Sequence, residues 1–132
     1  MIIVAAGMVI DQNHVLLAQR NKTAHHALEW EFPGGKLEAH ESPEEALARE
    51  LDEELGIRVR VGRIFDAKTV REDGRDLLIL YYFAFLISGV PRAIDCSAFE
   101  WVGRDRLLSF NLIGADRLVA ERLQAADWTV QA

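Results

Sequence analysis

Residues 35–57 read GKLEAHESPEEALARELDEELGI, and the reading of the whole chain turns on them. The pattern predicts a helix from Ser42 to Leu55. Ser42 is a good N-cap, Pro43 suits the first helical position, and Glu45 completes a capping box with Ser42. Leu47, Leu51 and Leu55 recur every four residues as an apolar stripe, with Ala46 and Ala48 beside it. Gly56 fits the left-handed position that ends a helix, and Ile57 can fold back on the last turn. The helix also carries an electrostatic oddity. Glu50, Glu53 and Glu54 project on one side, and Glu41, Glu44 and Glu45 sit just upstream. Each like-charge neighbour pair costs about 0.2–0.5 kcal/mol, and carboxylates near the C-terminus face the wrong end of the helix dipole. Stability alone would put lysine there. A solvated acidic face is one explanation. The other is a site for hard cations, because Mg²⁺ and Mn²⁺ take oxygen ligands and rigid carboxylates supply them.

Outward from this helix the chain alternates in type. Residues 2–10 predict a strand, Asp11-Gln12-Asn13 a turn, and His14–Gln19 its hairpin partner. Residues 21–29 form a loop. Trp30 to Pro33 is a short extended piece, since Phe32 precedes a proline, and Gly34-Gly35 should break regular structure. Beyond the helix, Ile57 to Phe65 predicts a strand and Asp73-Gly74 a turn. Leu77 to Ile87 is apolar on both parities, as in a strand buried on both faces. Phe99 to Val102 predicts a short strand. Gly114 to Ala126 predicts a second helix, with Leu118, Val119, Arg122 and Leu123 at helical spacing. Strands, helix, strands, helix favours a mixed sheet sandwiched by helices.

The 132 residues suit one domain over 1–132, half of them hydrophobic and 27% charged. Such a domain buries about two-thirds of its unfolded surface, and the composition excludes global disorder. Cys96 is the only cysteine, so neither a disulfide framework nor a thiolate zinc site is available; its expected role is structural. The net charge of −6 argues against a partner that is polymeric nucleic acid or an anionic membrane surface. It leaves room for a small phosphate ligand whose charge a metal ion offsets locally. The apolar start is too short to span a bilayer and lacks a basic lead, so the expected location is cytoplasmic.

The spacing Gly35, five residues, Glu41, seven residues, Arg49-Glu50-Leu51, Asp52, Glu53-Glu54, Leu55, Gly56-Ile57 resembles the signature of the Nudix hydrolases at every specified position. At average residue frequencies a chance match is on the order of one in ten million. The preceding WEFPGGK of residues 30–36 looks like the MutT-type branch. The resemblance implies an α/β (α+β) fold, an α/β/α sandwich with a mixed sheet. It implies hydrolysis of a nucleoside diphosphate linked to another group, with Mg²⁺ or Mn²⁺ as cofactor. Carried over by position, Glu50, Glu53 and Glu54 bind metal and the Gly34 carbonyl adds a ligand. Glu50 or Glu53 helps deprotonate the attacking water, with the Glu50 position favoured in MutT-type enzymes. Arg49 holds the carboxylates, and Gly35 and Glu41 support the site. The chemistry agrees: metals neutralise an anionic pyrophosphate and acidify bound water, and the planar guanidinium bridges two carboxylates as lysine cannot.

Outside the signature the resemblance is looser. Arg20 ends the second strand, as a phosphate-contacting arginine does in MutT-type proteins, or is an exposed strand-end charge. Lys36 attracts phosphate or pairs with Glu38. His25 and His26 fall in the loop flanking the nucleotide cleft, where solvated histidines are the ordinary case. Asp95 stands where MutT-type sequences often carry a loop Glu near the metals, and its shorter side chain reduces the reach. The base-reading Asn of the 8-oxo-guanine specialists aligns with Ala115. Asp116 beside it offers an acceptor for a base amino group, or serves as N-terminal helix charge; the segment also resembles relatives acting on pyrimidine triphosphates. Tyr81 and Phe83 share a strand face, for stacking on a base or for the core. Trp128 and Val130 cover an interface or close the core, so monomer and homodimer both stand.

Walker, G-x-G-x-x-G, H-E-x-x-H and G-x-S-x-G motifs do not occur. The leading expectation is a (deoxy)nucleoside triphosphate pyrophosphohydrolase that sanitises nucleotide pools or acts on pyrimidine triphosphates. Dinucleoside polyphosphates and nucleotide sugars are alternative substrates. A non-catalytic nucleotide sensor is the alternative of a different class, and the complete carboxylate set speaks against it.

Overall fold

Strand β1 (Ile2–Asp11) runs through the centre of the molecule, and its two parities divide the core. Ala5 and Val9 face one side, Ala6, Met8 and Ile10 the other. The computed structural model describes residues 1–128, so Val130 lies outside the described residues. Within them the order is β1, β2 (His14–Gln19), β3 (Trp30–Glu31), β4 (Gly34–Lys36), α1 (Pro43–Leu55), β5 (Arg58–Glu72), β6 (Arg75–Ser88), β7 (Ala98–Gly103), a 3₁₀ helix (Arg104–Ser109) and α2 (Gly114–Ala125). The seven strands form one mixed sheet along β3-β2-β1-β6-β5, with β4 on β1 and β7 on β2. Strands β1 and β6 run parallel, from Ile2 beside Leu77 to Ile10 beside Phe85; the other named pairs are antiparallel.

Helix α1 covers the Ala5/Val9 face with Leu47, Leu51 and Leu55, and Ile57 folds back into the same cluster. Helix α2 covers the opposite face with Val119, Ala120 and Leu123. The middle of β6 is buried on both sides, Tyr82 and Ala84 toward α1 and Tyr81 and Phe83 toward α2. This is the α/β/α sandwich expected from the sequence. The capping box at Ser42 and Glu45 is formed, and Gly56 ends α1 at φ 69°. The loop after β6 closes that helix end: the amides of Ile94 and Asp95 donate to the Glu54 carbonyl, and Arg92 N–H donates to Leu55.

Several expectations need correction. Gly34-Gly35 does not break the sheet; it is strand β4, with Ala5 beside Gly35 and Ala6 beside Gly34. The glycines are required there because a Cβ on Gly34 would overlap the Ala5 carbonyl oxygen. Strand β5 continues past Phe65 to Glu72, since the apolar β6 supplies a partner along its length, with bulges around Ile64 absorbing the register shifts. In α2, Leu118 is exposed, and the buried stripe is Asp116, Val119, Ala120 and Leu123. Of the two roles open to Trp128, closing the core is the one observed: it is buried, donates Nε1–H to the Leu123 carbonyl at 2.7 Å, and carries the Arg104 guanidinium on its ring. Among the described residues no helix is long and apolar enough to cross a membrane.

The Ser42 side chain accepts from Glu45 N–H at 3.1 Å, and Glu45 returns a bond to Ser42 N–H at 2.9 Å. Ser42→Ala removes the first of these, so the expected loss is about 0.5–2 kcal/mol of unfolding free energy. Urea denaturation checks it.

Candidate active site

The crossing of β4 under the middle of α1, at Arg49 and Glu50, sets the site. Gly35 has no side chain because the Glu50 carboxyl group lies where its Cβ would stand. Gly7 in β1 lets Leu47 pack within 3.2 Å of its missing Cβ position. The helix is therefore drawn onto the sheet with its acidic side over the glycine backbone. Arg49 holds the carboxylates together. It grips Glu41 with two bonds (Nε to Oε2 2.7 Å, Nη2 to Oε1 3.1 Å) and reaches Glu50 at 3.0 Å, Glu53 at 3.2 Å and the Lys36 carbonyl at 3.1 Å. Hydrogen bonding from Arg49 holds the Glu41 carboxyl below its ordinary value.

A cavity of about 620 Å³ opens beside this cluster. Gly34, Gly35, Lys36, Glu50 and Glu54 line one part of it; Arg20 and Asp95 line it too, as do Ala115 and Asp116 at the start of α2. Arg49 and Glu41 stand behind this wall. Glu53 is also outside it, on the same helix side but more than half exposed. The two half-buried carboxylates are strained electrostatically. Burial, with Glu31, Glu50 and Asp95 nearby, pushes Glu54 up to about 8. Its Oε2 is buried and has no hydrogen-bond partner among the described residues. Burial likewise raises Glu50, against the pull of Arg49. Oxygen donors, clustered negative charge and one orphaned buried oxygen together fit a hard divalent cation.

The structure also shows what the sequence did not. Glu31 lines the cavity, and burial pushes its carboxyl up to about 7 although Arg20 ion-pairs with it at 3.2 Å. A carboxylate inside the extended WEF run was the available signal. Arg20 is thus a half-buried bridge that also donates Nε–H to the His25 carbonyl at 2.6 Å, rather than a free strand-end charge. Lys36 does not pair with Glu38; Glu38 lies 3.6 Å from Arg49 instead, and among the described residues the Lys36 ammonium has no ion pair. Asp95 accepts from Asn21 at 3.4 Å. Cys96 is buried and its thiol is pushed up to about 11 by burial, the state of an unreactive thiol.

Tyr81 and Phe83 do not offer rings to a ligand. Both are fully buried, Tyr81 edge-on to Phe32 and Phe83 edge-on to Phe65. Asp116 is likewise more than a helix-end charge. It is buried, accepting Tyr81 O–H at 2.7 Å on Oδ1 and Phe32 N–H at 3.0 Å on Oδ2. The 110–113 segment sets it in place, since Ile113 N–H donates to Trp30 and Trp30 N–H to Asn111.

The NUDIX domain model matches residues 1–123. The chain belongs to the Nudix hydrolases, in their MutT-type branch. An 8-oxo-dGTP diphosphatase of Proteus vulgaris is 48% identical over 86 residues, 64% of this chain and 74% of the relative. A CTP pyrophosphohydrolase of Escherichia coli K12 is 35% identical over 112 residues, 85% of this chain and 83% of the relative. The crystal structure of a MutT NUDIX hydrolase from Burkholderia pseudomallei superposes with a TM-score of 0.83 at 28% identity, covering 95% of this chain and 98% of that one.

Burial raises Asp116 from 3.8 to about 6 despite its two hydrogen bonds. A raised native value means the folded state holds its proton longer than the unfolded one. The associated stability is full below the unfolded value and is lost as pH rises through about 6. Asp116→Asn should abolish that portion of the pH dependence. Urea unfolding of both proteins across this range checks it: the wild type should lose stability relative to the variant as pH rises.

Proposed function

We propose that this protein hydrolyses a (deoxy)nucleoside triphosphate to the monophosphate and pyrophosphate, using Mg²⁺ or Mn²⁺. The observation that carries the reading is the buried Glu54 Oε2, without a hydrogen-bond partner among the described residues, beside Glu50 in the wall of a nucleotide-sized cavity. Glu50, Glu53, Glu54 and the Gly34 carbonyl would hold the cations. When bound, these neutralise the polyphosphate and lower the pKa of coordinated water. Glu50 is the general base, and the Arg49 guanidinium fixes its orientation. Glu41 acts through Arg49 and touches no reacting atom. Lys36 and Arg20 bring positive charge to the cavity wall for the phosphates. Asp95 lines the same cavity near Glu54 and would add a carboxylate to the groups that hold the metal.

The base end is built around Asp116. Each of its oxygens already accepts one bond and keeps a further lone pair. It therefore favours a base edge that presents N–H donors, as cytosine and the guanine family do and as uracil at its O4 does not. Ala115 presents only a methyl group, so the amide contact of an Asn is missing there. This weighs toward cytosine nucleotides, in keeping with the similarity to the CTP pyrophosphohydrolase. Oxidised guanine nucleotides are the second reading, favoured by the similarity to the 8-oxo-dGTP diphosphatase.

Two measurements test this. A chromatographic turnover screen with Mg²⁺ should release monophosphate and pyrophosphate from CTP or dCTP well above UTP. Oxidised guanine triphosphates, methylated pyrimidine triphosphates, dinucleoside polyphosphates and nucleotide sugars complete the panel. Preference for UTP would refute the role given to Asp116, and nucleotide binding without any turnover would refute the catalytic assignment. Glu53→Gln keeps size and removes a charged ligand, so turnover should fall by orders of magnitude while the thermal midpoint stays near that of the wild type. Near-wild-type activity in that variant overturns the metal-site assignment.

A further inference from the structure

A second cluster of ligating side chains lies away from the α1 carboxylates, where the 21–29 loop meets the β5–β6 hairpin. His25, His26 and Glu72 each place one ligand atom within 4.8 Å of the others. His26 Nε2 is 2.6 Å from Glu72 Oε1, and His25 Nε2 is 3.7 Å from the same oxygen. Asp73 Oδ2 lies 3.8 Å from His25 Nε2 as a fourth donor. Ligand atoms about 2.0–2.2 Å from a tetrahedral ion stand about 3.3–3.6 Å apart, so small side-chain movements bring this set to a coordination sphere.

The surrounding structure aims the imidazoles. His26 Nδ1 faces Glu29 Oε2 at 2.9 Å, which turns Nε2 toward Glu72. A metal-bound histidine commonly has such a carboxylate behind it. His26 adopts φ 57° and Leu28 φ 62°, uncommon for non-glycine residues. The loop ends are tied, with Arg20 N–H donating to the Glu29 carbonyl and Leu28 N–H to the Arg20 carbonyl. The donors also differ in kind from those of the α1 cluster: two imidazoles and one or two carboxylates suit Zn²⁺ better than Mg²⁺. All four residues border the cavity.

We propose that His25, His26 and Glu72, with Asp73 as fourth donor, form a Zn²⁺-type transition-metal site that fastens the 21–29 loop to the β5–β6 hairpin beside the cavity. The ion joins two segments that are otherwise linked there by side-chain contacts. Fastened, the loop restricts passage of a nucleotide; this half rests on the function proposed above. Linkage then requires the nucleotide to weaken the metal by the same factor as the metal weakens the nucleotide.

The site is tested on tag-free protein with Co²⁺ as probe, in excess Mg²⁺ to occupy the carboxylates of α1. Tetrahedral Co²⁺ absorption should appear at one ion per chain in the wild type and in Glu53→Gln, and vanish in His26→Ala and Glu72→Gln. Glu29→Gln should weaken binding by about 10–100-fold. The two histidines are exposed and Glu29 and Glu72 half-buried, and unchanged thermal unfolding of each variant shows it is folded. Persistence of the bands in the His25→Ala/His26→Ala double variant, or their absence from the wild type, overturns the site. The gating half is read by calorimetry of a non-hydrolysable triphosphate. Zn²⁺ should weaken its binding by about 5–150-fold in the wild type and leave His26→Ala unaffected. Equal effects on both overturn gating. A wild type that binds no triphosphate even without Zn²⁺ refutes the nucleotide reading and gating with it, while the Co²⁺ bands decide the metal site independently.

Discussion

The backbone of Gly34-Gly35 is trapped between two neighbours that leave no room for a side chain. On one side is the carbonyl oxygen of Ala5 in β1, on the other the carboxyl group of Glu50 in α1. A protein interior is packed densely enough that one extra methyl must displace something. Here that something is either a sheet hydrogen-bonding partner or the carboxylate beside the cavity. The two glycines thereby couple the position of the helix to the register of the sheet. Leu47 against Gly7 makes the same close approach one turn earlier. The acidic side of α1 is consequently held at a fixed height above the strands, and the cavity has a rigid wall.

On that wall, charge is held against its own repulsion. Arg49 satisfies Glu41 with a two-pronged pair and reaches Glu50 and Glu53 with its remaining donors. It does not reach the buried oxygen of Glu54. The capping box and the first-turn glutamates favour the helix at its N-terminus, and the amides of Arg92, Ile94 and Asp95 quiet its C-terminal carbonyls. The local structure thus stabilises the ends of α1 well enough to tolerate unfavourable charge in its C-terminal half. Such local conflict inside a consistent fold is where functional sites are expected.

Much of this could be read from the amino-acid sequence, for identifiable reasons. The helix at 42–55 announced itself because its cap, stripe and stop signal agree. The double-sided burial of β6 followed from apolar residues on both parities. What escaped the reading depends on partners distant in the chain. Gly34-Gly35 looks like a breaker until β1 lies beside it. The polar half of β5 becomes a strand because β6 offers a ladder. Glu31 is unremarkable in sequence and becomes a buried carboxylate only when Asp116 and Glu54 close around it. Tyr81, open between base stacking and the core, and Asp116, open between a base acceptor and a helix charge, turned out to be one hydrogen-bonded pair.

The parallel ladder between β1 and β6 carries one more consequence. Ile2 sits beside Leu77 and Ile10 beside Phe85, so the centre of the sheet joins the beginning of the chain to a strand beyond its midpoint. Closing so large a loop costs entropy before the contacts repay it, and folds dominated by such distant pairings assemble slowly. A chain emerging from the ribosome N-terminus first will already contain α1, its carboxylates and the glycine strand. It will not yet contain the strand against which β1 must lie. For that interval the acidic helix and the apolar β1 wait without their shared support, and the nascent chain has its chemistry written before it has a cavity in which to use it.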